Sequence, residues 1–467
     1  MDINFFIDAN KERFVADLSR LVAVRSVRGE AGDGKPYGEG PARALAVATE
    51  IAREHGFALK NIGGHAGELD LGDQPSLLVL AHLDVVDEGD GWTRPPYTAT
   101  REGDLLYGRG TTDDKGPALA ALYALEAVRQ SGTRLQTGAR LVLGCAEETG
   151  SEDMDAYFAV RPQLPYCFSP DGSYPLIHLE KGRLAPFFGK DWKKEDALPR
   201  VCTIRGGKTP NIVPRCAEAE VLGLPLAALS EQARQTEKAT GVHFSLTKTD
   251  NGVRISAEGV SAHAAEPHKG NNAQTALLAL LAALPLAACE STAAVRALCR
   301  LFPHGDTSGA ALGVQMQDTV SGALTLNFGV LTLADTGFTA CFDSRTPLCA
   351  TGETLLEPVC GQLRDAGFIF SQTPTLRPVH YVPKDAPFVK TLLNIYENFT
   401  GEKGEALAIG GGTYVHDIEG GVAFGCEMPG RDYRIHGADE YADINELLLS
   451  AKMFAAAIVA LCGEDCA

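Results

Sequence analysis

Three short segments carry histidines and acids at spacings that suit metal chemistry. Two of them follow directly on apolar runs. The first is His82-Leu83-Asp84, directly after Ser76–Ala81. Residues two apart in a strand point to the same side, so an imidazole and a carboxylate share one direction there. The imidazole could bind a metal while the acid orients its ring; an ordinary exposed turn is the alternative. The second is Glu147-Glu148, directly after Ala139–Ala146. Two carboxylates at a buried strand end are costly unless they meet cations. One could bind a metal while the other, its pKa raised, acts as general base; a solvated acidic loop is the alternative. The third is Asp113-Asp114 in Gly108–Gly116, where paired acids before a helix read equally well as a cap. It is not a phosphate loop: G-x-x-x-x-G-K-[ST] is not matched, and paired acids repel phosphate. Asp171 in Ser169-Pro170-Asp171-Gly172 and His436 ahead of the last apolar helix are weak signals alone.

Their combination is stronger. Two histidines and several acids fall where strand ends are expected in one α/β domain. This donor set suits Zn(II), with Mn(II) or Co(II) as alternatives. One shared carboxylate could bridge two ions about 3.5–4 Å apart, as in co-catalytic hydrolases. The residues alone leave open whether Asp113 or Asp114 is that bridge.

The elements that must position these groups are legible in outline. Helical spacing covers Phe14–Val24, Ala42–His55 and Gly116–Gln130. Short apolar runs at Ser76–Ala81 and Ala139–Ala146, and a shorter one at Pro165–Phe168, read as strands. Strands alternating with helices imply an α/β domain with a mainly parallel sheet flanked by helices, and such sheets bind ligands at the carboxyl ends of their strands. The middle of the chain differs. His243–Gly259 reads as a hairpin around Asp250-Asn251-Gly252, a turn needing positive φ. Asn272–Ala288 reads as one helix. Ala323–Arg345 reads as a second hairpin, with Leu324, Leu326, Phe328 and Val330 on one face. Helices return at Phe388–Phe399 and Ile444–Leu461. The expectation is a discontinuous catalytic domain (1–185 and 383–467) interrupted by an α+β lid of two subdomains (186–382).

Composition narrows the function class. The 467 residues carry 42 Lys+Arg against 60 Asp+Glu, a net charge of −18, which argues against nucleic acid and anionic membrane partners. Hydrophobic residues make up 45% with a mean hydropathy of −0.05, ordinary for a chain with a large core. The apolar stretch Ala276–Ala288 is too short to span a bilayer, and no basic-then-apolar leader opens the chain. A cytoplasmic location is the default expectation. The twelve cysteines form no C-x-x-C pair and sit mostly in apolar runs, so buried free thiols are expected.

The segments HLDVVDEGDGW, LYGRGTTDDKGP, CAEETGSED, SPDGSYP, GVSAHAAEPHKGNNA, DSRTP, IGGGTYVHD and RIHGADEY occur in that order. Across nearly the whole chain this resembles the co-catalytic metallopeptidase family of aminoacylase-1, carboxypeptidase G and the desuccinylases, most of all its PepV-type dipeptidases. The resemblance implies that His82 and Asp171 bind one metal, Glu148 and His436 the other, and that Asp113 bridges them, with a cis peptide after Asp113. It implies Asp84 as the group orienting His82 and Glu147 as general base. In the lid it implies His263 and Asn211 as oxyanion contacts, and Arg345 with Gly411, Gly412 and Thr413 as the seat of the substrate's C-terminal carboxylate. His416 stands where PepV-type enzymes often carry a basic residue, so the pocket edge is expected to differ there. A lid twice the size found in dimeric relatives implies a self-sufficient monomer. The implied activity is hydrolysis of unblocked dipeptides. An N-acyl-amino-acid deacylase or short-peptide carboxypeptidase on the same site, and a non-catalytic metal-bound peptide-binding protein, are the alternatives.

Overall fold

The computed structural model describes residues 1–464, which divide into two compact units. The first comprises Met1–Leu179, His380–Leu407 and the segment from Gly412 onward. Its sheet runs in the order Lys60–Ile62, Ala66–Leu71, Gly138–Gly144, Pro75–His82, Tyr166–Ser169, Val422–Ala423 and Leu176–Glu180. The central pairings, from Gly138–Gly144 to Val422–Ala423, are parallel, and the flanking ones are antiparallel. The fold is therefore the mainly parallel α/β sheet expected from the alternation of elements. Pro75–His82 sits between two parallel neighbours, which explains why its sequence is continuously apolar rather than alternating.

Helix Lys115–Ser131 is buried from Lys115 through Val128. It packs against the sheet and against helices Ile3–Ala9, Lys11–Val22 and Ile444–Cys462. A helix enclosed in this way needs apolar residues on every side, and Ala118-Leu119-Ala120-Ala121-Leu122 supplies them. Helix Ile444–Cys462 is long and apolar enough to cross a membrane by length and composition. Here Phe454 meets Phe168 and Phe424 at ring separations of 5.3 and 6.2 Å inside the core.

The second unit, Glu180–Val379 with Ala408–Gly411, is built on one antiparallel sheet. Its order is His243–Lys248, Gly252–Glu258, Cys216–Leu222, Arg200–Gly206, Thr325–Ala334, Gly337–Thr346, Phe187–Asp191 and Ile369–Phe370. The two α+β halves read from the sequence share this sheet.

Four local expectations are corrected. The helix expected over Asn272–Ala288 ends at Ala283, and a separate helix, Glu290–Leu301, begins beyond it. Pro285 disfavours the helical region for the residue before it, and Leu284 is extended at φ −74°, ψ 150°. The turn at Asp250-Asn251-Gly252 has no residue at positive φ. Gly252 is needed instead because a Cβ there would lie 2.0 Å from the Val221 carbonyl of the adjacent strand. In the Ala323–Arg345 hairpin a bulge between Phe328 and Val330 breaks the alternation. Val330 leaves the buried face, and Leu331 and Leu333 take it over. Finally, the eleven described cysteines are free but not all buried: Cys216 and Cys349 are exposed. Cys466 lies outside the described residues.

Candidate metal centre

The acids and imidazoles of the first unit converge where its parallel strands end. His82 closes its strand and is fully buried. Its Nδ1 donates to the Asp84 carbonyl at 3.0 Å, so Nε2 is the nitrogen presented to the acids. That Nε2 is buried and makes no hydrogen bond, although Asp113 Oδ1 lies 3.1 Å away and Asp171 Oδ2 3.7 Å away. On the other side, His436 Nε2 lies 2.8 Å from Asp113 Oδ2 and 3.1 Å from Glu148 Oε1. Asp113 thus turns one carboxylate oxygen to each imidazole. The structure forms two groups with metal-ligand spacing, His82–Asp113–Asp171 and Asp113–Glu148–His436, and Asp113 is the member they share.

Asp114 faces elsewhere. Its Oδ2 accepts from the His82 backbone N–H at 2.9 Å, and its carboxyl is fully buried. The peptide joining Asp113 to Asp114 is cis. Asp84 faces two groups. Its carboxylate is 3.5 Å from His82 Nδ1, but it accepts the backbone N–H groups of Glu147 and Glu148, both at 3.1 Å. The ring is held by the Asp84 carbonyl, and the Asp84 carboxylate holds the turn that carries the two glutamates.

The electrostatics show what this arrangement lacks. Burial pushes the Glu147 carboxyl well up, and the negative charges of Asp171, Glu148 and Asp113 add to the shift. Burial and Asp113 push Glu148 up to about 7. Burial and Asp113 raise Asp171 as well. Against the cost of burial, Asp113 is held far down by the two imidazoles, and His436 is raised to about 11 by Asp113 and Glu148. So many acids crowd together favourably only around positive charge. Against the cost of burial, Asp113, Asp171 and Asp84 raise the His82 pKa well above the ordinary imidazole value; the proton on the Nε2 aimed at Asp113 and Asp171 is the positive charge that a divalent ion would replace.

Several groups that hold the site were not singled out from the sequence. Glu440, fully buried, accepts from Arg109 Nη1 at 2.6 Å and from the backbone N–H groups of Gly110, Thr112 and Asp113 at 3.0, 3.1 and 3.3 Å. It fixes the loop that presents Asp113. Asp153 accepts from the Cys145 and Ala146 N–H groups at 2.6 and 2.8 Å and from the Tyr414 hydroxyl. Tyr414 fits only because residue 144 is glycine: a Cβ there would lie 2.0 Å from its hydroxyl. His436 itself sits at φ 61°, with Arg434 and Asp439 also at positive φ, a conformation costing on the order of 1–3 kcal/mol per residue. Asp439 helps hold that segment, accepting from Thr93 N–H at 2.9 Å and its hydroxyl at 2.7 Å. Replacing Glu440 by Gln leaves Arg109 buried without its counter-charge. We expect a loss of about 3 kcal/mol in denaturant unfolding and metal affinity weakened roughly 10–100-fold.

In the second unit Asn211 and His263 come together. The Asn211 carbonyl accepts from Ala264 N–H at 2.8 Å, and Ile212 bridges His263. The His263 ring is exposed and its Nδ1 accepts from Ala265 N–H at 3.3 Å. Arg345 is buried, and part of its fork is used internally. Nε and Nη2 donate to Asp343 at 2.6 and 3.4 Å, and Nη1 donates to the Gly410 carbonyl at 2.6 Å. Of five N–H groups, one remains on each terminal nitrogen. The bond to Gly410 ties Arg345 to the turn that begins Gly411-Gly412-Thr413. Thr413 is buried, and its hydroxyl accepts from Val415 N–H at 3.3 Å. His416 is buried too, its ring 6.2 Å from that of His380, so it lines no open edge.

An α/β sheet that gathers two imidazoles around one shared carboxylate, with a further acid beside them, defines a metal-dependent hydrolase. Residues 78–460 match the model of Peptidase family M20/M25/M40, and the chain belongs to that family. Two relatives align along its length. A putative dipeptidase YtjP of Bacillus subtilis is 33% identical, covering 97% of both chains. A Beta-Ala-Xaa dipeptidase of Lactobacillus delbrueckii subsp. lactis is 30% identical, covering 100% of both. Human carnosine dipeptidase 1 shares the fold, with a TM-score of 0.60 at 15% identity over 98% of this chain and 97% of that one.

Proposed function

We propose that this protein is a dipeptidase that hydrolyses the peptide bond of unblocked dipeptides with two divalent ions, of which Zn(II) suits the ligands best. The observation that carries the reading is Asp113, one oxygen toward His82 and the other toward His436, with Glu147 in the adjacent turn. His82 and Asp171 would hold one ion, Glu148 and His436 the other, and Asp113 both. When bound, the ions supply a water of lowered pKa and polarise the scissile carbonyl. Glu147 Oε takes the proton of that water and delivers it to the nitrogen of the leaving amine. Its backbone N–H, held by Asp84, keeps the carboxylate in place. His263 and Asn211 stabilise the oxyanion. Arg345, through its two remaining N–H groups, and the Gly411-Gly412-Thr413 turn bind the C-terminal carboxylate, which limits substrate length. A protein that only bound peptides would have no use for Glu147.

The relatives support this reading through their names, and a panel of dipeptides with each of several divalent ions tests it. Free dipeptides should turn over, and their N-acetylated forms should not. The reverse preference would make the protein a deacylase. We further propose that the chain acts as a cytoplasmic monomer. His263→Ala should lower kcat by roughly 10²–10³, the usual effect of removing one oxyanion donor, with metal content unchanged. Mixing inactive His263→Ala with inactive Glu147→Gln protein should restore nothing. Recovered activity would show that two chains complete one site.

A further inference from the structure

One acid beside the metal centre has no part in the scheme above. Glu427 follows the Val422–Ala423 strand and is half-buried. Its backbone is clamped to the loop that carries Asp171: Glu427 N–H donates to the Gly172 carbonyl at 3.0 Å, and its carbonyl accepts from Tyr174 N–H at 2.8 Å. Ser173 and Glu427 pair as a parallel bridge, and Ser173 Oγ donates to Glu427 Oε2 at 3.1 Å. The carboxylate is therefore fixed two residues from a proposed metal ligand. Burial pushes it up to about 7, and the charges of Asp171 and Asp113 add to this, so it lies within the field of the acid cluster. Among the described residues no Lys or Arg pairs with it. A half-buried carboxylate with no cation hydrogen-bonded to it is costly, and Asp171, Glu148 and Asp113 are already committed to the imidazoles or, in our reading, to the ions. Glu427 is left over as a carboxylate fixed by Ser173 on the Asp171 loop, where burial disfavours its charge and the His436 imidazolium only partly offsets that cost.

We propose that Glu427 is a specificity-determining residue that binds the free α-ammonium group of the substrate, oriented by Ser173. This inference rests on the dipeptidase reading and adds to it the group that selects an unblocked amino terminus. A charge-assisted hydrogen bond to an ammonium distinguishes a free dipeptide from its acylated form, which has neither the charge nor the donors. The ions and the general base act on the scissile bond and need no such distinction.

The test measures binding rather than turnover. In metal-loaded Glu147→Gln protein, calorimetry gives the affinities of Ala-Ala and N-acetyl-Ala-Ala with and without Glu427→Gln. Loss of the charge should weaken Ala-Ala about tenfold or more and change N-acetyl-Ala-Ala less than twofold. Glu427→Asp should recover part of the loss. Equal weakening of both ligands, or no weakening of Ala-Ala, overturns the assignment. So does a selective loss of N-acetyl-Lys-Ala, which would give Glu427 a side-chain ammonium instead. Metal content, measured on each variant, should stay at the parent value; a fall would mark Glu427 as a support of the Asp171 loop and overturn it too. If the unaltered protein fails to hydrolyse Ala-Ala at all, the dipeptidase reading fails independently of Glu427.

Discussion

Asp113→Ala should strip the protein of both ions at once and reduce turnover by at least about 10³-fold. Each other ligand belongs to a single group: His82 and Asp171 to one, Glu148 and His436 to the other. Removing one of those leaves a complete partner group. Removing Asp113 leaves a pair of ligands on each side. The contrast lies with its neighbour. Asp114 accepts the His82 backbone N–H and turns no oxygen toward His436. Asp114→Asn retains an acceptor for that bond and should keep both ions. Elemental analysis of the two variants, beside kcat for a free dipeptide, separates the assignments. Retained metal in Asp113→Ala, or its loss in Asp114→Asn alone, would move the bridge to Asp114.

Glu147→Gln should abolish turnover, by roughly 10²–10⁴-fold as for a positioned general base, while metal content stays near two ions per chain. The amide keeps the shape and the backbone anchor to Asp84 but cannot take a proton. Glu148→Gln should lose metal as well, because Glu148 lies in a ligand group and Glu147 does not. The two residues are adjacent in sequence and both are raised by burial, so the pair of variants isolates geometry from environment. A kcat within a few-fold of the parent in Glu147→Gln would remove it from the mechanism.

The strand-end argument brought out His82, Glu147, Glu148 and Asp171 because it needs only local pattern: an apolar run followed by a polar donor. It left the bridge open because Asp113 and Asp114 have the same local surroundings in sequence. Only the folded chain shows one facing the imidazoles and the other a backbone N–H. The Glu440–Arg109 pair spans 331 positions, and no local pattern announces such a contact. Asp84 follows the strand periodicity beside His82, and what the sequence does not announce is that its carboxylate also accepts from the Glu147-Glu148 turn at a different strand end. The same limit explains helix Leu226–Thr240, which no periodicity announced: its buried residues are only Leu229, Ala233 and Thr236, too narrow a stripe to stand out. Bulges and glycine approaches, as at Val330 and Gly252, depend on the neighbouring strand and are silent in a single sequence.

The account is tested most directly by removing and restoring metal while following hydrolysis of one free dipeptide. Chelated protein should be inactive. Titrating in a divalent ion should bring activity back, reaching its plateau at two equivalents per chain, with Asp113→Ala unresponsive to any amount. Full turnover by the metal-free protein, or a plateau at one equivalent, would contradict a dipeptidase built on two ions joined through Asp113.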